Sequence, residues 1–165
     1  ADNKIQTILE VGTAVGFSAS IFAEAMGPEG QVDTIERNLN MVVQADENIT
    51  SLGLHHQINL MVGDAQEKLA ELDKTYDMIF LDGAKGHYIH LLDDCLRCLK
   101  PGGLLISDNV LFKGMIATNE LVIRRKITIV KRMRVYLETI ANHHQLITSI
   151  LPLGDGLAIS WKKDK

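Results

Sequence analysis

A carboxylate and a lysine follow an apolar run in the sequence FLDGAKGHY. The run ends at Leu81, Asp82 comes directly after it, and Lys85 stands three residues later. An unpaired charge at the end of a core strand is costly to bury, so we expect Asp82 to have a partner. Backbone amides, a cation and a bound substrate are the three kinds of partner that these residues leave open.

Asp82 is one of five acidic residues at or just beyond the ends of successive predicted strands. The others are Glu10, Glu36, Asp64 and Asp108. In an open α/β sheet, ligands bind at the carboxyl ends of the strands. One acid there is usually a helix cap or a turn residue. Five in succession predict an acidic rim with a function.

The first strand leads into a glycine turn, Gly12-x-x-x-Gly16, with Ser18 at the head of the next predicted helix. Glycine lets the backbone approach a ligand closely, and a helix N-terminus offers free amide groups. The spacing matches neither the G-x-G-x-x-G dinucleotide fingerprint nor a P-loop. The turn by itself does not identify a ligand, and the acids that follow the next strands are needed to interpret it.

The acids of the second and third strand ends favour a nucleoside. Glu36 is placed to accept hydrogen bonds from both hydroxyls of a ribose. Asp64 and Ala65 lie where the edge of an adenine would fall. A nucleoside-shaped ligand without a pyrophosphate fits these positions better than NAD does.

Strand-like and helical patterns alternate along most of the chain. The strand-like runs are Thr7–Val11, Gln31–Ile35, Ile58–Val62, Met78–Leu81 and Leu104–Ser107, and the helical patterns lie near 17–27, 38–52, 65–72, 86–99 and 120–142. This alternation predicts a doubly wound α/β fold with a mostly parallel sheet. Near the C-terminus, Gln145–Leu151 and Leu157–Lys162 have no helix between them and predict an antiparallel hairpin.

Composition is that of one soluble domain. The chain has 165 residues, of which 46% are hydrophobic and 23% charged, values usual for a globular protein. No apolar run is long enough to span a bilayer and no signal-peptide pattern opens the chain, so we expect no membrane contact. Two cysteines without a disulfide framework favour the cytoplasm. Cys95 lies on the apolar stripe of a predicted helix, which favours a core position over a zinc or redox role for the C-x-x-C. The first strand begins almost at once, and we expect either a minimal domain or helices upstream of it.

The segments ILEVGTAVGFSAS, VDTIE, GDA, FLDGAKGHY and LISDNVLFKG resemble the successive motifs of the cation-dependent, S-adenosylmethionine-dependent O-methyltransferases. That family includes the catechol and caffeoyl-CoA enzymes. The resemblance runs from Ile8 to the C-terminus, and the D-x-x-K and DN motifs are its specific part. It implies a class I methyltransferase (Rossmann-like) sheet of seven strands, the last one antiparallel. It departs at Gly83 and His87, where relatives often carry alanine and glutamine.

The resemblance also implies a role for each residue of the rim and turn. Contacts to S-adenosylmethionine would come from Glu10, Gly12, Ser18, Glu36, Asp64, Ala65 and Asp82. Asp82, Asp108 and Asn109 would hold a divalent cation, usually Mg²⁺, which prefers oxygen ligands. Lys85 would be the catalytic lysine that accepts or steers the proton of the substrate hydroxyl. The alternative for Asp82 and the Asp108–Asn109 pair is helix capping and a plain turn.

Basic residues concentrate in the predicted helix after the DN motif. Six of the 17 Lys and Arg residues fall between 124 and 134, and Glu120 is the only acid from 109 to 137. A solvated helix face normally mixes both signs, so this one favours a phosphate-rich partner. We expect tRNA phosphates to contact Arg124, Arg125, Lys131 and Arg132.

Three functions follow. The segments DNVLFKG, RRKITIVKRMR and ILPLGDGLAISWK most resemble a bacterial branch that methylates 5-hydroxyuridine in tRNA to 5-methoxyuridine. The alternative on the same residues is a small catechol-like or caffeoyl-CoA-like phenol. A nucleotide-binding module without catalysis would require the Asp82, Lys85 and Asp108 pattern to be coincidental. The resemblance further implies a homodimer for a full-length protein.

Overall fold

The computed structural model describes residues 4–83 and 85–164, which form one seven-stranded sheet with helices on both faces. The strands are β1 (Thr7–Val11), β2 (Gln31–Glu36), β3 (Ile58–Val62), β4 (Tyr76–Leu81), β5 (Leu99–Asp108), β6 (Leu146–Leu151) and β7 (Leu157–Lys162). The helices are α1 (Phe17–Met26), α2 (Leu39–Ser51), α3 (Ala65–Glu71), α4 (Tyr88–Cys98) and α5 (Ile127–Asn142). Two short 3₁₀ turns, Lys85–His87 and Arg124–Lys126, precede α4 and α5.

The strand order is β3-β2-β1-β4-β5-β7-β6. The first five strands are parallel, whereas β7 runs antiparallel to both β5 and β6. The predicted mostly parallel sheet and C-terminal hairpin are therefore confirmed. Where the described chain is helical, no helix is both long and apolar enough to cross a membrane.

Several boundaries differ from the sequence prediction by one or two residues, and two differ by more. Strand β5 begins at Leu99, before Pro101 and Gly102, and its pairing with β4 is irregular at Tyr76 and Met78. The helix predicted from residue 120 begins only at Ile127, because the preceding residues form turns and a 3₁₀ turn. Apolar periodicity alone did not show either feature, since both depend on neighbouring elements.

The core lies in two layers, one on each face of the sheet. Helices α1 and α2 cover one face through residues such as Ala23 and Ile49, and α3, α4 and α5 cover the other through residues such as Leu69 and Met133. Cys95 is fully buried in the second layer and carries no disulfide, as expected of a core position. The two layers leave the carboxyl ends of the parallel strands uncovered by helix packing.

The strand register brings the rim residues to one edge. Val11 pairs with both Ile35 and Leu81, and Leu81 pairs with Ser107. The residue that follows each of these positions therefore stands at the same level of the sheet. This is why Gly12, Glu36, Asp82 and Asp108 lie side by side although they are far apart in the chain.

Candidate active site

The glycine turn packs directly against the end of β4. Gly12 has φ +106°, and a Cβ on it would lie 2.6 Å from the carbonyl oxygen of Asp82. The amide of Gly12 donates to Ile35 at 3.0 Å, and the amide of Asp82 donates to Val11 at 3.0 Å. Only glycine fits this close approach between two backbones. The turn and the proposed cation ligand Asp82 are thus positioned together.

Glu10 is fully buried beneath the turn. Its carboxyl group accepts hydrogen bonds from the hydroxyls of Ser18 and Thr34, the latter at 2.5 Å, and Thr34 in turn lies 2.6 Å from the hydroxyl of Thr13. Burial raises the pKa of Glu10 to about 7, against the two hydrogen bonds, which lower it. The structure brings Glu10 and Ser18 together, and it places the Glu10 carboxyl below the surface that a ligand would touch.

Sequence analysis missed Thr34 and Thr13 in this cluster. Thr34 pairs with Glu10 in the register of β1 and β2 and is completely buried. A threonine in the predicted strand QVDTIE is the signal that could have indicated it, because a buried hydroxyl requires a hydrogen-bond partner.

Glu10 should make the stability of the protein depend on pH. The folded protein keeps a proton on Glu10 up to about pH 7, whereas the group's ordinary pKa is 4.5. Between these values the folded state binds more protons than the unfolded state, so the free energy of unfolding falls as pH rises. Glu10→Gln should remove this fall, which amounts to on the order of 3 kcal/mol. Urea unfolding at pH 4.5 and pH 8 measures the change in the free energy of unfolding between these two pH values.

The control is Glu47→Gln, which changes an exposed carboxylate on α2. Its free energy of unfolding should follow the wild-type pH dependence. If Glu10→Gln also follows the wild-type curve, the buried carboxyl titrates normally and the raised pKa is wrong.

A pocket of about 210 Å³ opens beside the turn, at the ends of β1, β2 and β3. Its walls include Gly12, Glu36, Asp64 and Ala65, all of which the sequence assigned to the cofactor. Its position at the strand ends suits the nucleoside half of a ligand.

Three backbone amides orient the carboxylate of Glu36. One oxygen accepts from Arg37 at 3.0 Å and from Asn38 at 2.8 Å, and the other accepts from Ala14 at 3.0 Å. Oε1 already accepts two hydrogen bonds, whereas Oε2 accepts only one and keeps a lone pair free. Glu36 can therefore accept a hydrogen bond from a ribose hydroxyl at Oε2 while its orientation stays the same.

Asp64 serves as a helix cap. Its side chain accepts from the amide of Gln66 at 2.9 Å at the start of α3, and Arg37 lies 3.7 Å away. The wall also contains Arg37 and His87, which sequence analysis did not assign to the cofactor. His87 is one of the two departures from the family pattern, and its position makes it a wall residue rather than a remote surface histidine.

The proposed cation ligands meet at the ends of β4 and β5. The amide of Asn109 donates to the Asp108 carboxylate at 2.6 Å, and the side-chain amide of Asn109 lies 3.3 Å from the Asp82 carboxylate. Asn109 has φ +58°, a left-handed conformation that ends the extended backbone of β5. Two carboxylates and an amide are all oxygen donors, which a hard divalent cation requires. The donor set fits the cation that the resemblance implies.

The electrostatics of the edge agree with that fit. Asp82 is solvent-exposed on one side, but partial burial of its carboxyl, together with the nearby negative charge of Asp108, raises its pKa. The positive charge of Lys85 opposes this rise. Over residues 4–83 and 85–164, no three side chains of the types His, Cys, Asp and Glu form a metal-binding group. A cation site at this edge would therefore need Asn109 as its third ligand.

Lys85 begins the 3₁₀ turn that leads into α4. The next residue, Gly86, is buried against Ile129 of α5, where a Cβ would lie 3.5 Å from the isoleucine side chain. Arg132 of α5 donates to the carbonyl of Gly86 at 3.4 Å. Helix α5 thus packs onto the turn that carries the proposed catalytic lysine.

Five of the six basic residues between 124 and 134 divide into two groups. Arg124, Arg125 and Lys131 are exposed, as is Arg132 apart from its contact with Gly86. Arg134 instead faces its own chain, since its guanidinium donates to the carbonyls of Met115 and Ile116 and to the side chain of Asn119. The exposed group, which we call the basic surface, comprises Arg124, Arg125, Lys131 and Arg132.

Comparisons with known proteins agree with this fold and site. The family model for the O-methyltransferases matches residues 3–163. A probable caffeoyl-CoA O-methyltransferase 2 of Dictyostelium discoideum is 27% identical over 93% of this chain and 68% of its own length. A catechol O-methyltransferase of Niastella koreensis is 33% identical over 67% of this chain and 52% of its own length.

Two solved structures are similar over nearly the whole chain. A putative caffeoyl-CoA O-methyltransferase from Staphylococcus aureus is 36% identical, with a TM-score of 0.90, over 97% of this chain and 77% of that one. An O-methyltransferase from Bacillus cereus, solved in complex with SAH, is 25% identical, with a TM-score of 0.86, over 97% of this chain and 75% of that one. The chain belongs to the O-methyltransferase family, and it is an S-adenosylmethionine-dependent O-methyltransferase of the caffeoyl-CoA and catechol type.

Proposed function

We propose that the protein transfers the methyl group of S-adenosylmethionine to a hydroxyl that stands next to a second oxygen, with the help of a divalent cation. The observation that carries this proposal is the meeting of Asp82, Asp108 and Asn109 at the strand ends beside the glycine turn. Two adjacent substrate oxygens match a site in which three protein oxygens leave coordination positions free.

The chain's own residues would bind and orient the reactants. Glu36 would hold the ribose, the Gly12 turn would let the methionine part approach, and Asp82, Asp108 and Asn109 would hold the cation. When bound, the cation supplies positive charge that lowers the pKa of a substrate hydroxyl.

Lys85 would accept or steer the proton of that hydroxyl. The oxygen then attacks the methyl carbon, the carbon–sulfur bond breaks, and its electron pair neutralises the sulfonium. Because charge disappears during this displacement, the protein contributes mainly positioning and a deprotonated oxygen.

For the substrate we propose 5-hydroxyuridine in tRNA. The 5-hydroxyl and the 4-carbonyl of this base lie on adjacent ring atoms, as the two oxygens of a catechol do. The basic surface supports an RNA substrate, because Arg132 links it to Gly86, the residue after Lys85. A phosphate chain lying on α5 would thus run towards the catalytic turn.

A small catechol-like or caffeoyl-CoA-like phenol is the second candidate. The names of the relatives from Dictyostelium discoideum and Niastella koreensis favour it. It uses the same cation ligands and the same lysine. A simple catechol has no phosphate for the basic surface to bind, whereas a CoA thioester carries phosphates of its own.

The triple variant Arg124→Gln, Arg125→Gln, Lys131→Gln separates the two candidates. Arg132 is left unchanged because it also contacts Gly86. Each lost phosphate contact should flatten the dependence of log affinity on log salt by about 0.7–0.9. For tRNA carrying 5-hydroxyuridine, KM should therefore rise and depend less on salt, whereas kcat with a simple catechol should stay unchanged. Methyl transfer at several salt concentrations measures both.

The matched control changes Lys4, Lys68 and Lys163 to glutamine, which removes the same net charge from other elements of the fold. Equal behaviour of the two triple variants on tRNA would mean that the basic surface is only solvated, and the phenol would become the preferred substrate. Turnover of catechols with none of tRNA would lead to the same conclusion.

A further inference from the structure

The buried hydroxyl of Tyr88 touches the backbone on both sides of the proposed cation site. Tyr88 is the first residue of α4 and has no exposed surface. Its hydroxyl donates to the carbonyl of Leu81 at 2.9 Å and lies 3.3 Å from the carbonyl of Asp108. These carbonyls belong to the peptide units that join Leu81 to Asp82 and Asp108 to Asn109. The Tyr88 hydroxyl thus contacts two peptide units. One unit includes the nitrogen of Asp82, and the other joins Asp108 to Asn109.

The Tyr88 hydroxyl makes these contacts at a level of the sheet where no backbone pairing joins β4 to β5. The register of β4 and β5 ends at Leu81 and Ser107, so the paired part of the two strands stops just before Asp82 and Asp108. Beyond that point the two carboxylates repel each other, because each carries negative charge. The Tyr88 hydroxyl is a link between the two strands at the level where their pairing has ended.

A second tyrosine holds the first in place. The rings of Tyr88 and Tyr136 meet edge to face with centroids 5.5 Å apart, and the Tyr136 hydroxyl lies 2.5 Å from the hydroxyl of Ser107. Tyr136 is also completely buried. It differs from Tyr88 in that its hydroxyl contacts a side chain and not the backbone of a cation ligand.

We propose that Tyr88 is a positioning residue that sets the separation of the β4 and β5 ends and thereby the geometry of the divalent-cation site. This inference rests on the proposed function, in which Asp82, Asp108 and Asn109 hold the cation. Groups that orient metal ligands commonly change metal affinity by about 10- to 100-fold when they are removed. Mg²⁺ is sensitive to such changes because it demands nearly octahedral geometry.

The test compares Tyr88→Phe with Tyr136→Phe. Both variants remove one buried hydroxyl from the same ring pair, and both should lose stability to a similar extent. Only Tyr88→Phe should bind Mn²⁺ about 10- to 100-fold more weakly in calorimetric titration without substrate. Its S-adenosylmethionine affinity should stay at the wild-type value, and excess Mg²⁺ should restore its kcat.

Each outcome distinguishes the inference from the proposed function. If the wild type binds no Mn²⁺, the proposed cation-dependent function fails. If the wild type binds Mn²⁺ and Tyr88→Phe binds it equally well, the function stands and the role of Tyr88 is refuted. Equal weakening in Tyr88→Phe and Tyr136→Phe would also refute it, because the effect would then come from general loosening of the core.

The wild-type protein allows a second measurement that does not depend on how the variants fold. The chain has only three tyrosines, Tyr76, Tyr88 and Tyr136. With ¹³C-labelled tyrosine, saturation with Mg²⁺ should shift the Cζ resonance of Tyr88 and leave that of Tyr76 unchanged, since the Tyr76 hydroxyl binds Asp33. An unmoved Tyr88 resonance at saturating Mg²⁺ would contradict the proposal.

Discussion

Asp108→Asn is expected to abolish methyl transfer while leaving the cation-free protein at least as stable as the wild type. The substitution removes one of the two negative charges that would hold the cation, and loss of several kcal/mol of electrostatic stabilisation lowers the rate by about a hundredfold or more. It also removes the repulsion that contributes to the raised pKa of Asp82. The amide oxygen can still accept the hydrogen bond that Asn109 donates at 2.6 Å, so the turn should keep its shape.

The measurements are methyl transfer with Mg²⁺, and thermal unfolding in the presence of a chelator. The control is Asp93→Asn, which alters an exposed carboxylate on α4 and should leave activity unchanged. S-adenosylmethionine affinity of Asp108→Asn should stay near the wild-type value, showing that the cofactor pocket is intact. Full activity in chelator, for the wild type or for Asp108→Asn, would return Asp82 and Asp108 to capping and turn roles.

Gly12→Ala is expected to have the second large effect, on stability and cofactor binding together. An added Cβ would lie 2.6 Å from the Asp82 carbonyl oxygen and 3.0 Å from Cα of Gly83, both of which are backbone atoms. Since neither can rotate away, the turn and the end of β4 must separate. Strain at φ +106° adds to this overlap, and we expect a loss of about 3 kcal/mol or more. Urea unfolding measures this loss, and calorimetry measures the accompanying loss of S-adenosylmethionine affinity.

Gly53→Ala separates the two causes. Gly53 also has a positive φ, +71°, but nothing lies within 4 Å of its added Cβ. Gly53→Ala should lower the free energy of unfolding only by the conformational cost of a positive φ, about 1–2 kcal/mol. Its cofactor affinity should not change. If Gly12→Ala costs no more than Gly53→Ala, the backbone contact between the turn and Asp82 does not constrain the site.

The edge residues illustrate how site geometry opposes stability. Asp82 and Asp108 carry like charges at adjacent strand ends, and Asn109 is held in a left-handed conformation. Each arrangement is unfavourable without a ligand, and each is explained if the edge holds a cation. Gly12 and the buried Tyr88 support this arrangement through contacts with the backbone.

Much of the fold could be predicted from the sequence because its signals are local. Strands β1 and β3 have the predicted bounds, since their β-branched apolar runs are short and end in turn residues. The C-terminal hairpin followed from two strand-like runs with no room for a helix between them. The chemical types of the site residues were also evident, because Asp82, Lys85 and Asp108 stand at strand ends or within motifs that the family shares.

Contacts between elements decided the rest. The basic residues of the helix predicted over 120–142 looked equivalent, but packing turned Arg134 towards the carbonyl of Met115 and left Arg124 in solvent. A helical pattern defines a face only, and the neighbours of that face depend on how the helix docks on the sheet.

The sequence by itself determined the order of strands and helices along the chain, the acidic rim and the glycine turn. Hydrophobic periodicity and turn chemistry are properties of residues that are neighbours in the sequence, so these features could be predicted locally. Only the tertiary structure decided three contacts. Glu10 is buried and accepts a hydrogen bond from Thr34, Gly12 touches the backbone of Asp82, and Tyr88 joins two strand ends. These contacts join residues up to 70 positions apart. They follow from strand register and helix docking, in which the energies of many distant contacts are summed, and no local pattern encodes that sum.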